Sequence, residues 1–417
     1  MKPQNSEHDA RLLALAEQFG TPLYVYDADV IAEQVEAFRR AFAALPVRIF
    51  YAAKALTSLS VLKLMHALGT GLDTVSPAEV QMGLMAGFTP GQMVYTPNMV
   101  SFDEIREAVE LGIRVNIENL SNLEKLGRAY GSDVACFVRL SPDFIGEHES
   151  LQRREWQKRS KFGIPLSQWD RLQAIVRRYG IPVTGIHMHA SHVIMSPEIF
   201  RRGADIIFRL AGEFPDLRCL DFGGGYNIAG KHDAPETNLA RLAEILVPLH
   251  REFTRGGREL ELWFEPGRYL VARAGSLLVR TEIVKTNGHV RVAGTDSGFN
   301  HLIRPRLYGA YHEIVNLSNP EGEEMLTDVY GNLCEQDPFA MDRRIAEIRE
   351  GDILCIRDAG GYGFVMSSQY NSRYRPAEVL VVDGRAHLIR RRETLADLTR
   401  GQIVIDDLAL PTRGKGC

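Results

Sequence analysis

Between residues 48 and 264, short runs of β-prone apolar residues alternate with amphipathic helical patterns, and this alternation limits the fold more than any other feature. The runs are Arg48–Ala52, Gly71–Val75, Met93–Thr96, Arg114–Ile117, Val134–Leu140, Val183–His189, Cys219–Phe222 and Leu260–Phe264. Helical patterns fill the gaps, from Ser58–Leu68 through Pro77–Ala86, Phe102–Leu111, Asn119–Tyr130, Leu166–Tyr179 and Pro197–Phe214 to Asn238–Thr254. Eight β-runs and seven helical segments match an eight-stranded parallel (β/α) barrel in count and length. A doubly wound open sheet uses the same βα unit and is the competing fold; the strand count favours the barrel.

Past Arg268 the pattern changes to strands separated by turn residues: Tyr269–Leu277, Arg280–Val284, Val290–Thr295, Asp328–Val329, Asp352–Arg357, Ala377–Val382 and Ala386–Arg391. This reads as a second, mostly antiparallel β domain. Near the N-terminus, residues 22–26 read as a strand between helices over 9–20 and 28–43, and no barrel strand is left to pair with it. It is expected to join the second domain, so that the barrel (residues 35–268) is inserted between two parts of a β domain (1–34 and 269–417). Residues 141–160 form a long charged loop inside the barrel, and loops of that length are usually functional or mobile.

Composition narrows the function. A net charge of −4 leaves no basic footprint for nucleic acid and no polybasic membrane patch. The polar, acidic N-terminus does not resemble a secretory signal, and no apolar run reaches the roughly 18 residues of a membrane span. A cytoplasmic protein acting on a small molecule is expected. The five cysteines contain no C-x-x-C pair, which argues against structural zinc and a disulfide framework, and no metal is expected. Cys136, Cys219 and Cys355 lie in apolar strand patterns and read as packing residues. Cys334 differs, being set among Asn332, Glu335, Gln336 and Asp337.

In a (β/α) barrel the chemistry sits at the C-terminal ends of the strands, and phosphate groups bind after strands seven and eight. The first β-run leads straight into Lys54. Poor solvation at such a position lowers a lysine's pKa and makes it a candidate for Schiff-base chemistry, against the plainer reading of a side chain that only snorkels out of the strand end. After the seventh run comes Gly223-Gly-Gly225, whose backbone can approach an anion closely at the start of a helix. Glu265 closes the eighth run, where a buried carboxylate needs a partner, and a protonated pyridine nitrogen suits it. His189 ends the sixth run and can lie flat on an aromatic ring; His187, two residues earlier on the same face, reads as a hydrogen-bonded barrel histidine. Lysine, histidine, glycine turn and carboxylate in this order along one barrel describe a site for pyridoxal phosphate.

The chain resembles the diaminopimelate decarboxylases, among the fold-type III, alanine-racemase-like pyridoxal phosphate enzymes, from about Pro22 to Arg392. The similarity is carried by Tyr51-Ala-Ala-Lys54, Ser160-Lys-Phe-Gly163, Gly185-Ile-His-Met-His189, Gly223-Gly-Gly225, Glu265-Pro-Gly-Arg268, Asp296-Ser-Gly-Phe-Asn300, Ile303-Arg-Pro305, Leu307-Tyr-Gly-Ala-Tyr-His312, Cys334-Glu335, Gly361-Tyr-Gly363, Met366-Ser-Ser-Gln-Tyr-Asn371 and Arg375-Pro-Ala-Glu-Val-Leu380.

The resemblance implies an amino acid decarboxylase, with meso-diaminopimelate giving L-lysine and carbon dioxide as the leading reaction. In it Lys54 anchors the cofactor, Glu265 keeps the ring nitrogen protonated, and His189 stacks on the ring. Gly224, Gly225, Gly267 and Arg268 line the phosphate, Tyr362 touches cofactor and substrate, and Cys334 is the proton donor. Arg268, Arg304, Tyr308 and Glu335 read the far end of the substrate, the arginines taking a carboxylate and Glu335 an ammonium. Cys334 and Glu335 reach the neighbouring subunit's site, which implies a homodimer. Asp73 and Ser76 are candidates to support Lys54, although Ser76 is equally well explained as a helix N-cap. Tyr370 is compatible with core packing and is left outside the site.

Four departures from the family pattern lie near the site. Ala190-Ser191-His192 replaces the usual apolar residue, glycine and phosphate-binding serine, which leaves Ser191 or His192 to make that contact. Cys334–Asp337 is one residue short, Gly361 stands where alanine is usual and should loosen the approach to Tyr362, and the 141–160 loop lacks a small, glycine-containing run. These departures put the substrate, rather than the reaction type, in question. The alternatives are the same chemistry on a carrier-bound amino acid, a siderophore precursor or a carboxylated polyamine, and, remotely, a non-catalytic regulator. A racemase is disfavoured because Cys334 stands where that reaction calls for a second base.

Overall fold

The structure is a computed structural model, described for residues 6–141, 159–189, 196–228 and 236–405. The expected N-terminal strand is Leu23–Asp27 (β1), preceded by a helix over Ser6–Phe19 and followed by one over Ala28–Ala41. Eight parallel strands then close on themselves: Val47–Ala52 (β2), Gly71–Thr74 (β3), Met93–Tyr95 (β4), Arg114–Ile117 (β5), Cys136–Ser141 (β6), Val183–Met188 (β8), Cys219–Asp221 (β9) and Glu261–Phe264 (β10). The two-residue strand Ile164–Pro165 (β7) adds to β6 at the rim. Pairing of β10 with β2 and of β5 with β6 completes the ring and decides for the barrel over the open sheet.

Because side chains alternate along a strand, one parity of each run fills the interior. The lower part is an apolar plug of Phe50, Val94, Phe137, Cys219 and Trp263, the first four from alternate strands of the ring, as layered barrel packing requires. Phe50 and Trp263 stack at 4.2 Å and Phe137 lies 5.1 Å from the same indole. Gly71 and Gly185 make room for these rings: a Cβ on either would come within 2.6 Å of the Phe50 or Phe137 ring. Arg48 and Arg114 close the bottom, each guanidinium over the Trp263 face.

Two positions further along the same strands the interior turns polar. Asp73, Asn116, Arg139, His187 and Asp221 follow Gly71, Arg114, Phe137, Gly185 and Cys219 at a spacing of two, and all five are buried. The apolar plug therefore ends at a layer of buried charge and amide groups facing the C-terminal mouth.

The second sheet is mostly antiparallel and runs Pro338–Ala346 (β15), Glu324–Tyr330 (β14), Val290–Thr295 (β12), Gly275–Asn287 (β11), β1, Ala377–Val382 (β17) and Arg385–Arg390 (β18). Ile353–Ile356 (β16) pairs with β11, and Ile314–Asn316 (β13) pairs with β16. As expected, β1 belongs here, antiparallel to β11 and parallel to β17. The expected strand over Tyr269–Leu277 instead begins as a helical turn, Arg268–Val271, and β11 then runs unbroken through residues expected to lie in two strands. A close crossing enforces the change of direction: Gly275 meets Gly360 so tightly that a Cβ would lie 2.2 Å from the Gly360 Cα.

Candidate active site

Lys54 leaves the end of β2 in a single 3₁₀ turn, Ala53–Ala55, and its Nζ donates to Asp73 Oδ2 at 2.6 Å. The pair follows from strand register, since Ala52 lies opposite Asp73 in the β2–β3 ladder. Burial alone would push the ammonium down, as expected for a strand-end lysine, but the Asp73 charge, helped by Tyr362 and Glu265, outweighs it and holds the Lys54 pKa above its ordinary value. The protonated amine is the resting form, a correction to the expectation of a neutral one. Asp73 is pushed up to about 7 by burial and by the charge of Glu265, with Lys54 opposing. Ser76 does cap the next helix, accepting from the Glu79 amide at 3.2 Å.

Glu265 ends the eighth barrel strand with its carboxylate buried, and its Oε2 accepts from His187 Nε2 at 3.1 Å. Burial would raise its pKa, yet His187 and the Lys54 charge hold it well below the carboxylate range. Burial drives His187 down and Asp221 up, the latter with the Glu265 charge as its next cause, so Glu265 is the anion of this group. His187 is, as expected, a buried and hydrogen-bonded barrel histidine, and its partner is Glu265. His189, Glu265 and His187 present ligand-type atoms up to 4.8 Å apart; tetrahedral zinc with bonds of about 2.0–2.1 Å would draw such atoms to roughly 3.3 Å, so the spacing does not favour a metal.

Half-buried His189 accepts from the Gly224 amide through Nδ1 at 3.2 Å, and burial holds it well below its ordinary pKa as a neutral ring. The glycine turn differs from the expected cradle. The Gly223 amide donates to Asp221 Oδ1 at 2.8 Å and that of Gly224 to His189, which leaves Gly225, at φ +105°, as the member of the turn with an uncommitted amide among the described residues. Nor does the turn open a helix directly: residues 226–228 are irregular, and the next described helix is Leu239–Thr254. Ser191 and His192 lie outside the described residues, as does nearly all of the 141–160 loop.

Gly267 lets the turn after β10 approach the lysine turn, where a Cβ would come 3.0 Å from that of Ala55. Arg268 follows, with Nη1 donating to Asn227 Oδ1 at 2.6 Å; burial and the charge of Arg304 lower its pKa to about 10. Arg304 is buried on the short helix Arg304–Tyr308, its guanidinium 5.6 Å from the Tyr308 ring centre and 5.9 Å from that of Tyr362, whereas Arg306 is exposed. Tyr362 sits at φ +56° and donates its amide to Ala55 O at 2.9 Å. Gly361 packs on Arg268, whose Cα would lie 3.3 Å from an added Cβ, so an alanine there would press on Arg268.

Cys334 and Glu335 lie elsewhere. Both are exposed, and among the described residues no hydrogen bond or ion pair joins them to the barrel mouth. Their neighbours are Tyr370 and Asn371. The Tyr370 hydroxyl lies 3.4 Å from Cys334 Sγ and donates to Glu335 Oε1 at 3.1 Å. Tyr370 is therefore not a core residue: it is 39% exposed and its hydroxyl meets two candidate residues. Beneath them Asp337 is buried and accepts from the Leu333 amide at 3.2 Å, which closes the shortened 334–337 turn.

Sequence reasoning left Asp73 undecided and passed over Arg139, a buried cation bonded to Asn98 Oδ1 at 2.7 Å with Phe162 over its guanidinium at 4.9 Å. A charged residue in an otherwise apolar core strand, at inward parity, was the available signal.

Fold and site define a barrel enzyme with a lysine at the mouth beside a buried carboxylate, and the chain belongs to the pyridoxal-dependent decarboxylases: residues 28–272 match the family described as "Pyridoxal-dependent decarboxylase, pyridoxal binding domain". Within that class its curated relatives include the diaminopimelate decarboxylases of Methanothermobacter thermautotrophicus, 38% identical over 95% of this chain and 94% of the relative, and of Pseudomonas aeruginosa, 35% identical over 96% and 99%. The solved diaminopimelate decarboxylase from M. jannaschii in co-complex with L-lysine superposes with a TM-score of 0.86 at 29% identity, covering 94% of each chain.

The residues present suit pyridoxal phosphate. Glu265 is a buried carboxylate held anionic, His189 is a neutral flat ring, and the Lys54 side chain keeps one third of its surface accessible. Arg268 and Arg304 repel each other, and neither Nε has a partner among the described residues, as expected where an anionic group belongs.

Proposed function

We propose that this protein is a pyridoxal phosphate-dependent decarboxylase that converts meso-diaminopimelate to L-lysine and carbon dioxide. The observation that carries the reading is the buried pair of His187 and Glu265 at the same barrel mouth as Lys54. It supplies an anion where a protonated pyridine ring needs one and an amine where the cofactor's aldehyde needs one. The bound cofactor supplies an electron sink for the charge left when carbon dioxide departs.

In this reading Lys54 anchors the cofactor, Asp73 holds the amine in place, and Glu265 holds a proton on the ring nitrogen. His189 covers the ring face. Gly225 offers an amide to the phosphate, while Gly224 and Gly267 contribute close approach, with Arg268 and either Ser191 or His192 beside them. Tyr362 fixes the angle between cofactor and substrate. Arg304, with Arg268 and Tyr308, takes the substrate's distal carboxylate, and Glu335 its ammonium.

Cys334 is the proton donor, and its separation from its own chain's barrel mouth supports a homodimer in which each copy completes the other's site. The barrel over 35–268 and the β domain over 1–34 and 269–417 then have separate duties, the first holding cofactor and the second lending donor and specificity groups. Among the described residues no helix is long and apolar enough to cross a membrane, and we read the enzyme as cytoplasmic. Carbon dioxide release is to be measured over meso-diaminopimelate, lysine, ornithine, arginine and carboxylated polyamines. Turnover on the first supports the assignment; turnover only on another, with cofactor bound, reassigns the substrate.

A further inference from the structure

Cys334 is gripped at two points by one residue. Its amide donates to Asn371 Oδ1 at 2.9 Å, and the Asn371 side-chain amide donates back to Sγ at 3.2 Å. Asn371 manages this from the left-handed region, at φ 55° and ψ 24°, a conformation asparagine tolerates better than most residues but which still needs a compensating contact. Tyr370 is fixed independently by stacking on Phe299, with ring centres 5.7 Å apart and planes at 20°. Its hydroxyl stands between two acceptors, Sγ at 3.4 Å and Glu335 Oε1 at 3.1 Å, and has one proton to give.

We propose that Tyr370 and Asn371 are positioning residues for the Cys334 thiol, and that the single Tyr370 hydroxyl proton couples the thiol to whatever occupies Glu335. The proposal rests on the reading of Cys334 as proton donor. With Glu335 free, its carboxylate competes with the sulfur for the hydrogen bond from the tyrosine hydroxyl, so the thiolate receives only part of it. With a cationic amine seated on Glu335, the hydroxyl turns to the sulfur and joins the Asn371 amide in stabilising the thiolate. When the thiol gives its proton to the substrate carbon, the S–H bond breaks, a C–H bond forms, and the charge left on sulfur meets two donors already aimed at it. No electrons are exchanged with a third species, and water returns the proton to sulfur on product release. The other charged groups at this spot leave the coupling intact: Asp337 is turned away onto the Leu333 amide, and Arg373 donates to Asn332 O at 3.2 Å. Consistently, Tyr370 and then Asn371 hold the thiol below its ordinary pKa against the opposing charge of Glu335.

The test is the pH titration of the ultraviolet thiolate absorbance, each protein measured against its own Cys334→Ala counterpart. Hydrogen bonds to the charged form favour it, so Tyr370→Phe, which keeps the ring on Phe299, should raise the thiol midpoint by roughly one pH unit. Asn371→Gly should do likewise, because glycine accepts the left-handed backbone and only the side chain is lost. Glu335→Gln should lower the midpoint, and by less in the Tyr370→Phe background, because the tyrosine transmits part of the effect. Midpoints unmoved by both Tyr370→Phe and Asn371→Gly in folded protein overturn the proposal, and an equal Glu335→Gln shift in both backgrounds overturns the coupling. Full turnover in Cys334→Ala would instead remove the proton-donor reading, a result the titration does not depend on.

Discussion

The barrel mouth and the Cys334 cluster hold candidate catalytic groups under opposite conditions. At the mouth the groups are buried, and the charges of neighbours on nearby strands decide which carboxyl is ionised: Glu265 is held down, Asp221 and Asp73 are pushed up. At Cys334 there is no burial to exploit, and hydrogen bonds from Tyr370 and Asn371 are the leading influences. A preorganised low-dielectric site can be finished within one chain, whereas an exposed thiol acquires comparable control only when another surface covers it. On the proposed reading the chain contributes one nearly complete half-site and one that a second copy would cover.

The largest expected effect breaks the mouth. Lys54→Ala should abolish turnover and remove the visible absorbance of bound cofactor; a retained band would reject Lys54 as the anchor. Cys334→Ala should keep that band and lose about 10²–10⁴-fold in rate, the usual range for a general acid. Mixing these two inactive proteins sharpens the comparison. If each site uses both chains, dissociation and reassociation should restore about a quarter of native activity, by random pairing in a twofold dimer; no recovery in verified mixed dimers would place both residues in one chain's site.

A further prediction concerns the floor beneath the thiol. His301 bonds Ser297 Oγ at 3.0 Å and Tyr374 O at 3.0 Å, and Ser297 O in turn accepts from the Asn332 amide at 2.8 Å, so this histidine underlies both the Cys334 and Tyr370 segments. Burial lowers His301 and His312 to about 4. A depressed histidine contributes stability above its unfolded pKa near 6.5 and loses it as pH falls toward the folded value. Unfolding free energy should therefore drop by about 2 kcal/mol per histidine between neutral pH and about pH 5, and His301→Gln should roughly halve that loss in denaturant titrations. The smallest effect is that of His187→Phe, which leaves Glu265 without its donor: about 1–3 kcal/mol of stability, accompanied by weaker retention of cofactor on dialysis. Unchanged retention would mean that His187 does not tune Glu265.

Much of this was legible in the sequence, for a physical reason. A parallel barrel repeats one unit, so eight β-runs could be counted, and strand ends located Lys54, His189 and Glu265. The polar layer was legible too, had parity been followed: Asp73, Arg139 and His187 share the inward register of the residues that build the plug. The β domain was harder. The apolar run from Tyr269 fits a strand or a buried helical turn equally well until the Gly275–Gly360 crossing is known, and short runs do not decide between the two. The strands Ile314–Asn316 and Pro338–Ala346 escaped notice because one has three residues and the other carries Asp342, Arg343 and Arg344 on a largely solvated edge. Tyr370 was lost to distance: its hydroxyl meets a thiol 36 residues away in sequence, across a turn whose geometry no local pattern encodes.

The placement of β1 in the second sheet also sets a timetable. Leu23, Tyr24, Val25 and Tyr26 are each no more than 3% exposed once folded, yet the strands that cover them pair Leu23 with Leu278 and with Ala377. At about 5–20 residues per second on the ribosome, β1 must wait on the order of tens of seconds for its second neighbour. Before that interval ends the whole barrel has emerged and can close, while a strand destined for full burial still lacks its second neighbour and is open to any other strand edge within reach.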